Sequence, residues 1–409
     1  MTVSGPGPEG PQGPEASPGV ELELVVGPVA HGGHCVARHQ GQVVFVRHAL
    51  PGERVRAVVV EGGPGAKFLR ADAVEVLTAS PDRVAAPCPK AHPGGCGGCD
   101  FQHASVPAQR ALKAAVVAEQ FRRLAKLEVD VDVRPVPGDV EGLRWRTRNR
   151  FAVDAAGRPG LRRYRSHDVE PLEDCLIAHP LVVADGVLDL PWPGVSELAV
   201  AVSVSTGERV IMADGEARGR VRLTEQASGR SWRVTGAGFW QVHPGAAETL
   251  VSAVRAGLAA RPGEVLLDLY SGVGLFAGSL ADDLGVTGAV HAVEADSGAV
   301  RDARRNLHDL PMVSLVAARV DQWLRAGAVP RCDLVVLDPP RSGAGRAVVD
   351  QIAAREPRAV AYVACDPASL ARDVATFAGH GYGLAELTAY DVFPMTHHVE
   401  CVAILRKVS

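Results

Sequence analysis

From about residue 246 to the C-terminus the chain alternates short apolar runs with helical patterns, and few architectures can satisfy that alternation. "EVLLDLY", "AVHAVEAD", "MVSLVAARV", "CDLVVLDPP", "AVAYVACDP", "GLAELTAYDVF" and "HHVECVAILRKV" are seven strand candidates, most of them separated by helical stretches. Near-continuous apolar strands joined by helices pack as a mostly parallel sheet covered on both faces. Residues 246–409 therefore predict a doubly wound α/β domain with a seven-stranded sheet. Its ligand crevice is expected outside the C-terminal ends of the strands.

The preceding chain reads differently. Residues 21–80 hold short alternating strands punctuated by "HGGH", "HQGQ" and "ALPGE", a pattern that suits a small β-barrel of oligonucleotide-binding type. Residues 81–245 carry a cysteine cluster and then a helix over "SVPAQRALKAAVVAEQFRRLAKL", with Ala111, Ala114, Ala115, Ala118 and Phe121 at helical spacing and the Lys and Arg residues on other faces. A β-rich stretch follows. Residues 1–20 are rich in Pro, Gly and Glu and cannot bury enough apolar surface to order, so a disordered tail is expected. They lack the basic and apolar regions of a secretory signal, and no run of about 18 apolar residues suggests a membrane span. The expected location is the cytoplasm.

A net charge of −4 argues against a wholesale basic coat but leaves room for a local basic surface. Eight arginines lie in "RWRTRNRFAVDAAGRPGLRRYR". Arg144, Arg146, Arg148 and Arg150 recur at every second residue, so a β-strand would put all four on one face, where their planar forks suit phosphate. Three of the eight cysteines, Cys88, Cys96 and Cys99, fall in "CPKAHPGGCGGC", a spacing that favours metal binding over disulfides.

The chemistry concentrates at the ends of the C-terminal strands. In "LLDLYSGVGLF" a strand runs into a glycine turn and a helix, and Gly272 and Gly274 let backbone approach a ligand there. Glu294 ends the next strand and can accept the two hydroxyls of a ribose. Asp338 ends the strand before two prolines that force a sharp exit. Glu400 enters the last apolar strand, where a lone carboxylate would be expensive to bury. Cys365 sits at the tip of the fifth strand. By itself a cysteine there reads as core packing. Beside a methyl donor and a carboxylate base it becomes the thiol that C5-methylation of a pyrimidine requires.

At this point the chain resembles the RNA 5-methyluridine methyltransferases, in the branch that carries a TRAM domain and an iron–sulfur cluster and is represented by enzymes of 23S rRNA. The matching segments are "ALPGERVRAVV", "CGGCDFQH", "FWQVHP", "LLDLYSGVGLF", "LVVLDPPRSG", "YVACDPASLARDV" and "DVFPMTHHVECVAIL". The resemblance implies a Rossmann-like class I methyltransferase domain behind an OB-like TRAM barrel and a central RNA-binding domain. It implies Cys365 as nucleophile, Glu400 as general base, and Gln241, Tyr270, Glu294 and Asp338 as S-adenosylmethionine contacts. It further implies Cys88, Cys96, Cys99 and Cys175 as ligands of a [4Fe–4S] cluster, with zinc as the other metal four thiolates could hold. The cluster's expected role is structural and RNA-contacting, since the methyl transfer is redox neutral. The implied partner is RNA, ribosomal first and transfer RNA second, bound by a monomer away from membranes.

Four positions depart from the family pattern. Seven residues separate Cys88 from Cys96, Ser271 and His243 stand where cysteine and asparagine are usual, and Asp366 replaces a common asparagine beside Cys365. A carboxylate there is expected to disfavour the thiolate. Two other readings compete: a methyltransferase of an exocyclic amine or small molecule, and a non-catalytic RNA-binding protein on a degenerate methyltransferase fold.

Overall fold

The computed structural model describes residues 17–408, so most of the stretch read as a disordered tail lies outside the described residues. These residues fall into two compact units, 17–94 with 100–105, and 95–99 with 106–408.

The first unit is a six-stranded sheet in the order Glu21–Val25, Arg54–Glu61, Phe68–Thr78, Gln42–Arg47, His34–His39, Val29–Ala30. The alternation in "ELELV" and "RVRAVV" is its pleat: Leu22, Leu24, Val55, Ala57 and Val59 are buried, while Glu21, Glu23, Arg54 and Arg56 stay outside. Among the described residues Glu21–Val25 and Val29–Ala30 stand at the two ends of the ladder, and the segment joining them bonds back to His34–His39, with the Gly27 amide donating to the Val36 carbonyl at 2.8 Å.

The second unit is built on an eight-stranded sheet in the order Val313–Ala317, Ala289–Glu294, Val265–Leu269, Leu334–Leu337, Ala359–Ala364, Glu400–Lys407, Tyr382–Asp391, Val133–Pro135. Seven are the predicted strands. The eighth, Val133–Pro135, comes from the earlier part of the chain and pairs in parallel with Tyr382–Asp391, which corrects the expected count. The five strands from Val313–Ala317 to Ala359–Ala364 are parallel, and Glu400–Lys407 runs antiparallel to both of its neighbours. Alternate residues feed the two faces: Leu266, Val336 and Ala361 join one apolar cluster, and Leu267, Val335 and Val360 the other. The strand order reverses between Val265–Leu269 and Leu334–Leu337, which makes their C-terminal ends the switch point where ligands bind in such sheets.

A six-stranded antiparallel sheet precedes it, in the order Val169–Pro171, Pro159–Arg162, Arg148–Val153, Glu197–Val202, Arg209–Ala213, Glu216–Ala217. The strand carrying the arginines begins only at Arg148: Arg144 takes a left-handed φ of 58°, and Arg146 forms an isolated bridge with Ala178 instead. The alternation survives in extended form, with Trp145, Thr147, Asn149 and Phe151 buried between the arginines. The helix Val106–Gln120 also forms, but its inner face is Ala108, Gln109, Leu112, Lys113, Val116, Val117 and Gln120. Ala111 and Ala115 are exposed, so the alanine stripe misjudged the buried side. No helix among the described residues is long and apolar enough to cross a membrane.

Candidate active site

Three strand ends converge on Cys365. The antiparallel register ends with Ala364 opposite Cys401, so Cys365 and Glu400 are the next residues at that end of the sheet, near enough for the Glu400 charge to act on the thiol. On the other flank, Leu337 pairs with Tyr362 in parallel, so Asp338 leaves its strand beside the same end of the sheet. Cys365 then hands the chain to the helix Pro367–Gly379, where Asp366 is the N-cap and its carboxylate accepts from the Ser369 amide at 2.7 Å. That cap explains an acid in this position: it satisfies an orphan amide at the helix start.

Electrostatics at this end are acid-heavy. Burial pushes the Cys365 thiol up to about 11, and Glu400, Asp338 and Asp366 add to the rise while Arg341 opposes it. Burial also raises Glu400 well above the usual carboxylate range, with Asp338 adding and Arg341 opposing. Asp338 is held near 7 by burial. Of these acids Asp366 adds least to the thiol's shift, so the departure flagged in the sequence matters less than burial does. Arg341 is exposed, with Nη2 3.2 Å from His398 Nε2. Its place three residues beyond Asp338, in "DPPRSG", is the sequence signal that could have found it.

In the roles expected from the resemblance, nucleophile and base, Cys365 and Glu400 would each have to lose a proton before acting. The activity of the free enzyme is therefore expected to climb with pH, by about tenfold per unit, from mildly acidic to mildly alkaline solution. A kcat/KM profile that is flat across neutral pH would contradict this arrangement.

The glycine turn forms the neighbouring half of the site. Tyr270 at φ 64°, Gly272 at 55° and Gly274 at 92° bend the chain between Val265–Leu269 and the helix Leu275–Leu284. A Cβ on Gly274 would come 2.7 Å from Leu307, whereas one on Gly272 would meet nothing within 4 Å, so the turn faces open space at Gly272. Glu294 braces the turn: one carboxylate oxygen accepts from Gly272 at 2.9 Å, the other from Ala295 and Asp296. Asp268, held near 7 by burial, accepts from Ala277 of the following helix. The Ser271 hydroxyl is buried without a partner. An open turn, a braced carboxylate and an orphan hydroxyl fit the polar end of a nucleoside such as that of S-adenosylmethionine. Gln241 is buried and follows Trp240, which shares an apolar cluster with Val273 of the turn.

The other expected residues are distributed differently. Cys88 lies in the first unit and Cys96, Cys99 and Cys175 in the second. Cys175 is buried in an apolar cluster that Cys99 borders. Among the described residues no group of three or more Cys, His, Asp or Glu side chains is arranged to hold a metal. The arginines are mostly spoken for. Arg144 forks onto Asp174 at 2.8 and 2.6 Å, and Arg146 donates to the Arg148 carbonyl at 3.2 Å. Arg148 donates to the Gly238 carbonyl at 3.0 Å and to Glu225 at 3.3 Å. Arg150 keeps 70% of its side chain exposed, with Glu197 at 3.4 Å. Arg146, Arg148 and Arg150 line an open groove of about 330 Å³ with Phe239, which is 66% exposed. Phe239 stood inside "FWQVHP" and carried no signal of exposure.

Residues 328–408 match the tRNA (uracil-5-)-methyltransferase family and residues 15–74 match the TRAM domain. An RNA methyltransferase of Streptomyces avermitilis is 51% identical over 429 residues, covering 96% of this chain and 99% of its own length. One from Bifidobacterium longum is 37% identical, covering 95% and 97%. Among solved structures, the Pyrococcus abyssi tRNA (uracil-54, C5)-methyltransferase in complex with S-adenosyl-L-homocysteine superposes with a TM-score of 0.70 over 94% of this chain and 99% of that one. At 22% identity that is a likeness of fold.

Proposed function

This chain belongs to the RNA methyltransferases of the tRNA (uracil-5-)-methyltransferase family that carry a TRAM domain, and from that premise we propose that it methylates C5 of a uridine in RNA, with Cys365 as nucleophile and Glu400 as base. The observation that carries this reading is the placing of Cys365 and Glu400 directly beyond the Ala364–Cys401 pair, at the edge of the crevice. C5 of uracil is too weak a nucleophile to be methylated directly. The Cys365 thiolate adds to C6, and the electron pair of the C5–C6 double bond moves into an enolate that makes C5 reactive. The turn at Tyr270–Gly274 would hold S-adenosylmethionine, which would supply the methyl group to C5 and leave as S-adenosylhomocysteine. Glu400 then takes the C5 proton, and the C5–H electron pair re-forms the double bond as the Cys365 sulfur departs. Every atom and electron pair is accounted for without a redox partner.

A uridine within folded RNA has to leave its stack to reach Cys365. The groove at Arg148, Arg150 and Phe239 offers a cationic side chain and a bare aromatic face for backbone and base. Large-subunit ribosomal RNA is the first proposed substrate, on the TRAM-plus-cysteine pattern. Transfer RNA is the second, favoured by the name of the matching family.

The test is a trap. With 5-fluorouridine RNA the C5 fluorine cannot leave as a proton, so the thiol adduct stalls after methylation and survives a denaturing gel. A labelled band whose RNA is ribosomal or transfer would identify the target class. No band from a broad RNA mixture would move the reading to amine methylation or to a binding role. The iron–sulfur cluster on Cys88, Cys96, Cys99 and Cys175 rests on the resemblance alone, and no step above uses it. Anaerobically purified protein is expected to contain iron and sulfide and to lose them in Cys99→Ser; protein with neither would remove the cluster.

A further inference from the structure

The side chains that fix the approach to Glu400 come from a distant part of the chain. Tyr382–Asp391 ends one residue after Tyr390, the register partner of Glu400. Residues 391–399 must then turn the chain through "DVFPMTHHV" to re-enter the sheet at Glu400. This connection holds Met395 at φ 65°, a left-handed conformation that a non-glycine residue keeps only when its surroundings fix it.

Those surroundings are two residues of the helix Val106–Gln120, one turn apart. Lys113, with its side chain fully buried, donates from Nζ to Asp391 Oδ1 at 2.5 Å and to the Phe393 carbonyl at 3.0 Å. Gln109 is wholly buried: its Oε1 accepts from the Met395 amide at 2.8 Å and its Nε2 lies 3.2 Å from the Met395 sulfur. The bonding continues toward the base. Thr396 Oγ1 donates to the Phe393 carbonyl at 2.8 Å and accepts from the His398 amide at 3.3 Å.

As a device for stability this would be a poor choice. A buried ion pair seldom outperforms an apolar pair of the same volume, and here Asp391 Oδ2 is buried with no partner at all. The pair does secure a unique geometry, because one ammonium reaches both the strand end and the first turn of the connection. We propose that Lys113 and Gln109 are positioning residues that hold the 391–399 connection, and with it Glu400, in the orientation needed to remove the C5 proton. The proposal rests on Glu400 acting as the base.

Lys113→Met alone would leave Asp391 buried without a cation, so the informative proteins are Lys113→Met/Asp391→Asn and Gln109→Leu. The first removes both charges, and the second removes the bonds to Met395 without touching a charge. Both are expected to melt near the wild-type temperature, to bind S-adenosylhomocysteine normally and to form the 5-fluorouridine adduct. Turnover on uridine RNA is expected to fall on the order of 10²-fold, the cost of a slightly misplaced catalytic group. The methylated adduct, transient in the wild type, should accumulate on ordinary RNA. Scaffolding alone would not produce that trapped species. Wild-type turnover in either protein overturns the role of its residue, and so does turnover lost together with the 5-fluorouridine adduct. Glu400→Gln run alongside separates the two levels. Full activity there removes the base, whereas a loss there with both other proteins fully active removes only the positioning.

Discussion

Cys365→Ala is expected to abolish methylation of uridine RNA while leaving binding of S-adenosylhomocysteine and RNA intact. Removing the nucleophile from a covalent mechanism costs about 10⁶-fold where the residues act as a unit. The fall here should reach the detection limit, because without addition at C6 the ring offers no reactive carbon. The 5-fluorouridine band should vanish in the same protein. Stability should change little, since Cys365 is only half-buried and alanine keeps its Cβ. Residual turnover near the wild-type level would return Cys365 to the role of a packing residue and favour methylation of an exocyclic amine, which needs no thiol.

Glu400→Gln is expected to fail later in the sequence. Its side chain is nearly isosteric and its site is buried, so fold and substrate binding should persist. Addition by Cys365 and methyl transfer come first and leave a methylated adduct that still carries the C5 proton. A positioned base contributes about 10²–10⁴-fold, and turnover should fall by that factor. The adduct should then be visible on ordinary RNA without fluorine. The glutamine also removes a neighbouring acid that raises the Cys365 thiol, so adduct formation should shift to lower pH. Loss of turnover without an adduct would assign Glu400 to an earlier step.

The C-terminal domain was legible because its signals are local. Four apolar residues in Leu334–Leu337 and six in Ala359–Ala364 are buried throughout, as expected of parallel strands covered on both faces. Asp338, Cys365 and Glu400 each stand where an apolar run meets a turn, and turn chemistry is written in neighbouring residues. The eighth strand was not legible. Val133–Pro135 is three residues long and gains its place only from the edge of Tyr382–Asp391, more than two hundred residues away. The arginine strand misled for a related reason: period-two spacing describes an extended chain, but pairing partners and the left-handed Arg144 decided where the ladder begins.

By itself the sequence determined the order of strands and helices, the glycine turn, and which side chains stand at strand ends, since periodicity and turn residues act over a few positions. It could not say what those arginines would meet. Asp174, Glu225 and Glu197 take up Arg144, Arg148 and Arg150 from distant segments, and only the packed chain brings them there. The same holds for Lys113. A lysine among alanines reads as a solvated face, because burying a lone ammonium is prohibitive. Only the tertiary structure supplies Asp391 and the Phe393 carbonyl, and with them the free energy that lets the charge lie inside.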